Sequence, residues 1–216
     1  MGIISRFPAG ATKPYIEEIY NSYGQLIDVK MYGYETIRDY AFYSCYDLAL
    51  TTLPSGMTNI GDYAFYYCTS LALTTLPSGI TNIGNNAFEY CTNLALTTLP
   101  SGITNISAGA FAGCTSLALT TLPSGITNIG NSAFAVCTNL ALTTLPNGIT
   151  SIDDYAFVEC SSLVSLTFEG TPENIGASAF AGCNNLTTIN VPWAEGAVAN
   201  APWGAENATI NYGYTG

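Results

Sequence analysis

No histidine occurs in the 216 residues. The Ser-His, Cys-His and His-metal arrangements that carry most hydrolase and metalloenzyme chemistry therefore cannot be assembled from this chain. Positive charge is nearly as scarce: Lys and Arg number four against 15 Asp and Glu, and Arg6, Lys13, Lys30 and Arg38 all fall in the first 38 positions. Glu17, Glu18, Asp28 and Glu35 balance them there, so the whole excess of −11 lies in residues 39–216. A surface without Lys or Arg cannot neutralise phosphates, which argues against nucleic acid and anionic membranes as partners. No apolar run approaches the roughly 18–20 residues that cross a bilayer. The opening MGIISRFPAGATKPY has neither a continuous apolar stretch nor an Ala-x-Ala-like site, so it does not read as a secretory signal. Residues 90–152 hold no charged side chain at all. That stretch must stay soluble on Thr, Asn, Ser and Gly, or be covered by another chain.

What is present is a repeat. Phe stands at 42, 65, 88, 111, 134, 157 and 180, always 23 residues apart and always after Ala, with Cys three places later each time. The segment LALTTLPSGITNI is identical at 71–83, 94–106 and 117–129. One period of 20–30 residues over most of a chain indicates a solenoid, in which each coil covers the apolar face of the next. Within a coil, Leu94-Ala95-Leu96-Thr97-Thr98-Leu99 has strand length and ends at Pro100, Ser101-Gly102 turns the chain, and Ile103 with Ile106 supplies a second inward face. Asn85-Asn86-Ala87-Phe88-Glu89-Tyr90-Cys91 combines a capping residue with an i, i+3 Phe/Cys pair, which predicts one short helical turn per coil. Coils stacked in register would pair strands at about 4.8 Å in a parallel sheet.

The columns Leu, Pro, Ile-x-x-Ile, Gly and Ala-Phe-x-x-Cys at this period resemble the BspA-like, or Treponema-type, leucine-rich repeat family over residues 34–192. The resemblance implies a leucine-rich-repeat solenoid of about seven coils that serves as a non-catalytic adhesion or binding scaffold, often on a cell surface. Leu163, Leu166, Phe168 and Leu186, Ile189, Val191 keep the family's Leu-x-x-Leu-x-Leu spacing, whereas the five earlier coils read Leu48-x-Leu50-x-x-Leu53 and its copies. Strict alternation cannot bury all three of those leucines, so a bend is expected at the Thr pair. Residues 1–33 lie outside the repeat and read as an N-terminal cap or docking segment, with Gln25–Met31 as a strand. Residues 193–216 read as a C-terminal cap: a short helix between two Pro-Trp pairs, then a strand at Ala208–Tyr212. This tail and Ser5–Gly10 resemble segments of prophage-encoded proteins.

Candidate sites follow from the columns that vary. The seven Cys cannot all pair, match no zinc spacing, and read as a buried thiol ladder beside the Phe ladder. Each Thr pair is expected to present a single file, too narrow to match a lattice. The Asn column at 59, 82, 105, 128 and 174 is expected to bond turn backbone, and Asp154 to cap rather than to join Asp153 and Glu159 around calcium. Twelve of the 15 Tyr fall in residues 1–90, with Tyr40 over Tyr63, Tyr43 over Tyr66 and Tyr67 over Tyr90. Tyr40, Tyr43, Tyr46, Tyr63, Tyr66, Tyr67 and Tyr90, rimmed by Asp39, Asp62 and Glu89, form the predicted partner surface, because Tyr gives contact area at low entropic cost. The expected function is protein or glycan binding by a bacterial surface protein, with a component of a virion or other large assembly as the alternative. No catalytic residue, cofactor or metal is expected, and the chain could act as a monomer or a homo-oligomer.

Overall fold

The computed structural model describes residues 15–216, with the side chain of Tyr15 excepted. Arg6, Lys13 and the Ser5–Gly10 segment lie outside the described residues. The chain winds into a solenoid of about eight parallel coils of roughly 23 residues. Strand β1 (Tyr15–Tyr20) and strand β2 (Leu26–Tyr32) make an antiparallel hairpin. β2 buries Val29 and Met31, and its Ile27 carbonyl accepts the Ala49 N–H at 2.9 Å, so it stands where the strand of a preceding coil would be. β1 then covers its outer edge, carrying the Lys30–Glu17 ion pair (3.7 Å) that discourages further pairing there.

The repeat's leucines, isoleucines, phenylalanines and cysteines form one apolar core, in which no polar or charged side chain among the described residues is buried. Neighbouring Phe rings stack almost parallel at 5.2 to 5.6 Å from Phe42 to Phe180. Beside them, each thiol from Cys68 to Cys183 donates to the Phe carbonyl 26 residues earlier at 3.0 Å. The thiol ladder expected from the sequence is thus present, and all seven cysteines are free, with only Cys45 half-buried.

The strands differ from expectation. Six coils share a two-residue strand in the Asn/Ser-Ile column: β4 (Asn59–Ile60), β5 (Asn82–Ile83), β6 (Asn105–Ile106), β7 (Asn128–Ile129), β9 (Ser151–Ile152) and β11 (Asn174–Ile175); β3 (Thr36–Ile37) precedes them. The Leu-Ala-Leu-Thr-Thr-Leu segment forms no regular strand in the early coils and only β8 (Thr144–Leu145) in the fifth. Where the family spacing holds, four-residue strands appear, β10 (Ser165–Phe168) and β12 (Thr188–Val191), and β13 (Thr209–Tyr212) extends that sheet. The cause is burial arithmetic. Leu94 and Leu96 alternate inward, but Leu99 can return to the core only if the chain bends, and both Thr97 and Thr98 then face out. The expected bend is found, while the expected single Thr file becomes two files in the first four Thr coils.

The predicted helical turn is not a helix. Residues 39–44 and their copies form consecutive reverse turns, because the second and sixth positions adopt the left-handed region: Tyr40 and Ser44, Tyr63 and Tyr67, Gly109 and Gly113, Tyr155 and Glu159. The tail also lacks the predicted helix, since Gly196, Asn200 and Trp203 have positive φ. Its two indoles do close the core: Trp193 meets Phe168 edge-on at 5.2 Å, and the fully buried Trp203 lies 6.2 Å from each. The Asn column bonds side chain to side chain rather than to backbone, with Asn82 to Asn59 at 2.6 Å and Asn128 to Asn105 at 2.7 Å. The column is interrupted between β5 and β6. Ser107 replaces the Gly of neighbouring coils there, and its hydroxyl, at 2.6 Å, takes over the bond to the Ile83 carbonyl.

Burial pushes the ladder thiols above their usual range, Cys183 to about 11 and those deeper in the core further. In the unfolded chain thiols ionise near about pH 8.5. The native state therefore holds protons that the unfolded state releases, and stability should be fully present below that value and fall as pH rises from it towards 11. Urea melts between pH 7 and 10 check this. In the native protein an aromatic disulfide reagent should titrate Cys45 alone, and all seven thiols only after unfolding.

Candidate functional site

Two properties of the turn segment place side chains on the surface. Its N–H groups at alternate residues all bond forward: Tyr40 to the Asp62 carbonyl (2.8 Å), Phe42 to Ala64 (2.8 Å) and Ser44 to Tyr66 (2.7 Å), then Tyr63, Phe65 and Tyr67 to Asn85, Ala87 and Glu89. Ala64 and Phe65 point into the core, so residues 40, 43 and 44 and their counterparts in the second and third coils remain at the surface in vertical columns.

Seven tyrosines occupy these columns or adjoin them, and the structure brings all of the predicted ones together. Tyr40 stacks on Tyr63 at 5.0 Å, Tyr43 on Tyr66 at 4.8 Å and Tyr67 on Tyr90 at 4.4 Å. Edge contacts join the files, Tyr63 to Tyr66 at 5.6 Å, Tyr66 to Tyr67 at 4.8 Å and Tyr46 to Tyr67 at 6.4 Å. The field is most open at its N-terminal end, where Tyr40, Tyr43 and Tyr46 are 57%, 47% and 53% exposed. Its phenol groups have no hydrogen-bond partner among the described residues, unlike Tyr20, whose hydroxyl donates to Glu18 at 2.5 Å. Mutual covering pushes the Tyr66 and Tyr67 phenols up, chiefly through lost hydration and then through neighbouring acidic groups, so they stay protonated donors at neutral pH.

The acidic rim has structural duties as well. Asp39 Oδ1 accepts the Asp62 N–H at 2.9 Å, and Asp62 Oδ1 accepts the Asn85 N–H at 2.7 Å, so each carboxylate braces the next coil. Glu89 is bonded by the Asn86 side chain, and burial raises its carboxyl above the usual range against that bond. Asp47, half-buried beside Tyr46, makes no side-chain hydrogen bond among the described residues. Further along, Asp154 lies 3.4 Å from the Ser178 N–H, and no group of His, Cys, Asp or Glu among the described residues could hold a metal ion.

In the coil after Tyr90 the columns change to small residues, Gly109, Ala112 and Gly113, and in later coils they mix small residues with Val136, Tyr155 and Glu159. Gly113 is needed there: at φ +71°, a Cβ on it would lie 2.6 Å from Tyr90 Cδ1, so the last ring of the field rests on glycine. The Thr face is a second regular surface. The hydroxyls of Thr58, Thr69, Thr127 and Thr150 donate to carbonyls of the preceding coil at 2.9 to 3.2 Å. Those of the exposed Thr pairs at 51/52, 74/75, 97/98 and 120/121 have no protein partner among the described residues.

A family profile for the BspA type leucine rich repeat region matches the chain in six copies, over residues 19–141 and 81–196. The chain belongs to the BspA-type leucine-rich repeat family. A leucine-rich cell surface protein from Faecalibacterium prausnitzii A2-165 is 28% identical, with a TM-score of 0.66 over 85% of this chain and 56% of its own length. The T. pallidum leucine-rich repeat protein is 27% identical, with a TM-score of 0.55 over 87% of this chain and 85% of that one. This BspA-type chain thus spans little more than half the length of the Faecalibacterium protein. No curated protein matches it. No helix among the described residues is long and apolar enough to cross a membrane.

Sequence reasoning gathered the tyrosines but missed the left-handed backbone beneath them. The signal was in the same columns, where Gly109, Gly113 and Gly182 replace Tyr, Asn and Ser. Gly113→Ala should therefore either lower stability by about 1–3 kcal/mol or lift the Tyr90 ring off its seat. Thermal melts with near-ultraviolet circular dichroism of the Tyr bands check both outcomes.

Proposed function

We propose that this BspA-type repeat protein is a non-enzymatic recognition module of a bacterial surface, engaging a protein partner through the tyrosine field of coils one to three. The supporting observation is a conformational cost. Tyr40, Tyr63, Tyr67 and Tyr90 sit at φ between 54° and 60°, in columns where the same chain elsewhere places Gly109, Gly113 and Gly182. An L-residue with a Cβ pays roughly 1–2 kcal/mol for the left-handed region, so glycine would serve the fold more cheaply. Large rings are kept at these positions for the surface they offer. Rings stacked face to face present edges and hydroxyls outward, which suits a protein surface better than the flat ring-on-sugar contact that a glycan needs. The adhesive setting rests on family membership and on the resemblance to the Faecalibacterium cell surface protein.

The test exchanges rings for residues that the same columns already hold. In Tyr40→Asn/Tyr67→Gly, relief of backbone strain offsets lost ring stacking to within about 1–2 kcal/mol, so the melting temperature should move by only a few degrees. Beads coated with the wild-type chain should adhere to intact bacterial or epithelial cells, and beads coated with the variant should not. Equal adherence by both would remove the tyrosine field from the reading.

A further inference from the structure

Among the described residues, the turn ladder that builds the tyrosine field also leaves one of its ends open. In coils two to six the carbonyls at the turn positions accept N–H groups of the coil before: Asp62, Ala64 and Tyr66 from Tyr40, Phe42 and Ser44, and Asn85, Ala87 and Glu89 from Tyr63, Phe65 and Tyr67. Their first-coil counterparts are the carbonyls of Asp39, Ala41 and Tyr43, and no described residue donates to these three. The N-terminal hairpin covers the strand side of this coil through Ile27 and Ala49 but does not extend a turn over it. The repeat geometry points all three carbonyls the same way, towards the N-terminal end and beside the exposed Tyr40 and Tyr43.

Such an edge offers acceptors only. An ordinary β-strand edge presents a C=O along with each N–H, and its carbonyls would face carbonyls here. Another copy's turn ladder has the right donors at its far end, but in this chain that end is mostly covered: the Phe180 N–H donates to the Trp203 carbonyl at 2.9 Å, Gly204 packs on the Ala181 backbone, and among the described residues the Gly182 N–H alone is left to face three acceptors. The charge has the same sense. Asp39, Asp47, Asp62 and Glu89 surround the field against Arg38 alone, in a chain whose other described base, Lys30, is paired with Glu17. A donor-only, cationic and flat group meets every one of these conditions. The guanidinium has five N–H donors and no acceptor, stacks on tyrosine, and pairs with carboxylates in a fork that ammonium lacks.

We infer that the open acceptor edge Asp39–Ala41–Tyr43, together with Tyr40, Tyr43, Tyr46 and Asp47, takes an arginine-rich segment of the partner protein. This rests on the tyrosine field being the recognition surface and adds the chemistry of its partner.

The test titrates the full chain with hexa-arginine, hexa-lysine and hexa-glutamate peptides by calorimetry at low and at physiological salt. Hexa-arginine should bind about ten-fold or more tightly than hexa-lysine and weaken as salt rises, and hexa-glutamate should not bind. Asp47→Asn, which touches no internal hydrogen bond, should weaken hexa-arginine several-fold, and Tyr43→Ala should do so more strongly. In carbonyl-detected spectra the 13C shifts of Asp39, Ala41 and Tyr43 should move on binding, while those of Asn131, Ala133 and Ala135, bonded within the ladder, should not. Equal affinity for the lysine and arginine peptides, or unchanged binding by both variants, would reduce the effect to net charge and overturn the proposal. So would static shifts at the three carbonyls. If cell adherence depends on Tyr40 and Tyr67 while hexa-arginine fails to bind, the recognition surface stands and the arginine partner falls.

Discussion

The coil-to-coil hydrogen bond is the constraint on which the rest depends. A 23-residue coil has too little apolar surface to fold alone, and its backbone groups can be satisfied only by the coil on either side. Once Phe42 donates to Ala64 and Phe65 to Ala87, every residue is fixed above the residue 23 positions on. The Phe stack, the thiol ladder and the Asn pairs then follow as consequences of register, because identical side chains at identical heights must meet. The same register makes the surface programmable: a change at one outward position alters one spot of a column and leaves the core untouched.

That separation explains what was legible in the sequence. Period, core and thiol ladder were readable because Ala-Phe-x-x-Cys recurs in every coil and is buried in all but the first, where Ala41 and Cys45 are half-buried, and Ile-x-x-Ile recurs with Met57 and Pro172 in place of its first Ile. The Tyr columns were readable for the same reason, since position within the period sets position on the surface. Local backbone was less so. An Asn followed by Phe and Cys at i, i+3 suits a helical turn as well as a run of reverse turns, and only the glycines of coils four and seven betrayed positive φ. Strand length was hidden too, because three leucines at Leu-x-Leu-x-x-Leu spacing promise a six-residue strand that the bend at the Thr pair breaks. The bracing role of Asp39 and Asp62 lay in their spacing of 23, which looks like a surface motif until the next coil's N–H groups are in view.

The tyrosine field stands out against this economy. A chain that repeats LALTTLPSGITNI three times unchanged varies its turn columns most, and places its largest side chains where the backbone least favours them. The field is also confined to one end of the solenoid, next to a turn edge that no other described residue covers, while Trp203 and Gly204 cover most of the other end. Side chains and backbone thus make the two ends chemically unlike, with rings, carboxylates and carbonyls at one and an indole lid at the other.

The sense of the turn ladder is the point on which this account turns, and amide hydrogen exchange of the free chain measures it residue by residue. If the N–H groups bond forward, those of Tyr40, Phe42 and Ser44 are held by the second coil and should exchange as slowly as those of Phe88 and Tyr90, although they sit in the terminal turn; the Gly182 amide, with no acceptor among the described residues, should exchange fast. Rapid exchange at Tyr40, Phe42 and Ser44 with protection at Gly182 would mean that the ladder runs the other way, and the open acceptor edge beside the tyrosines would not exist.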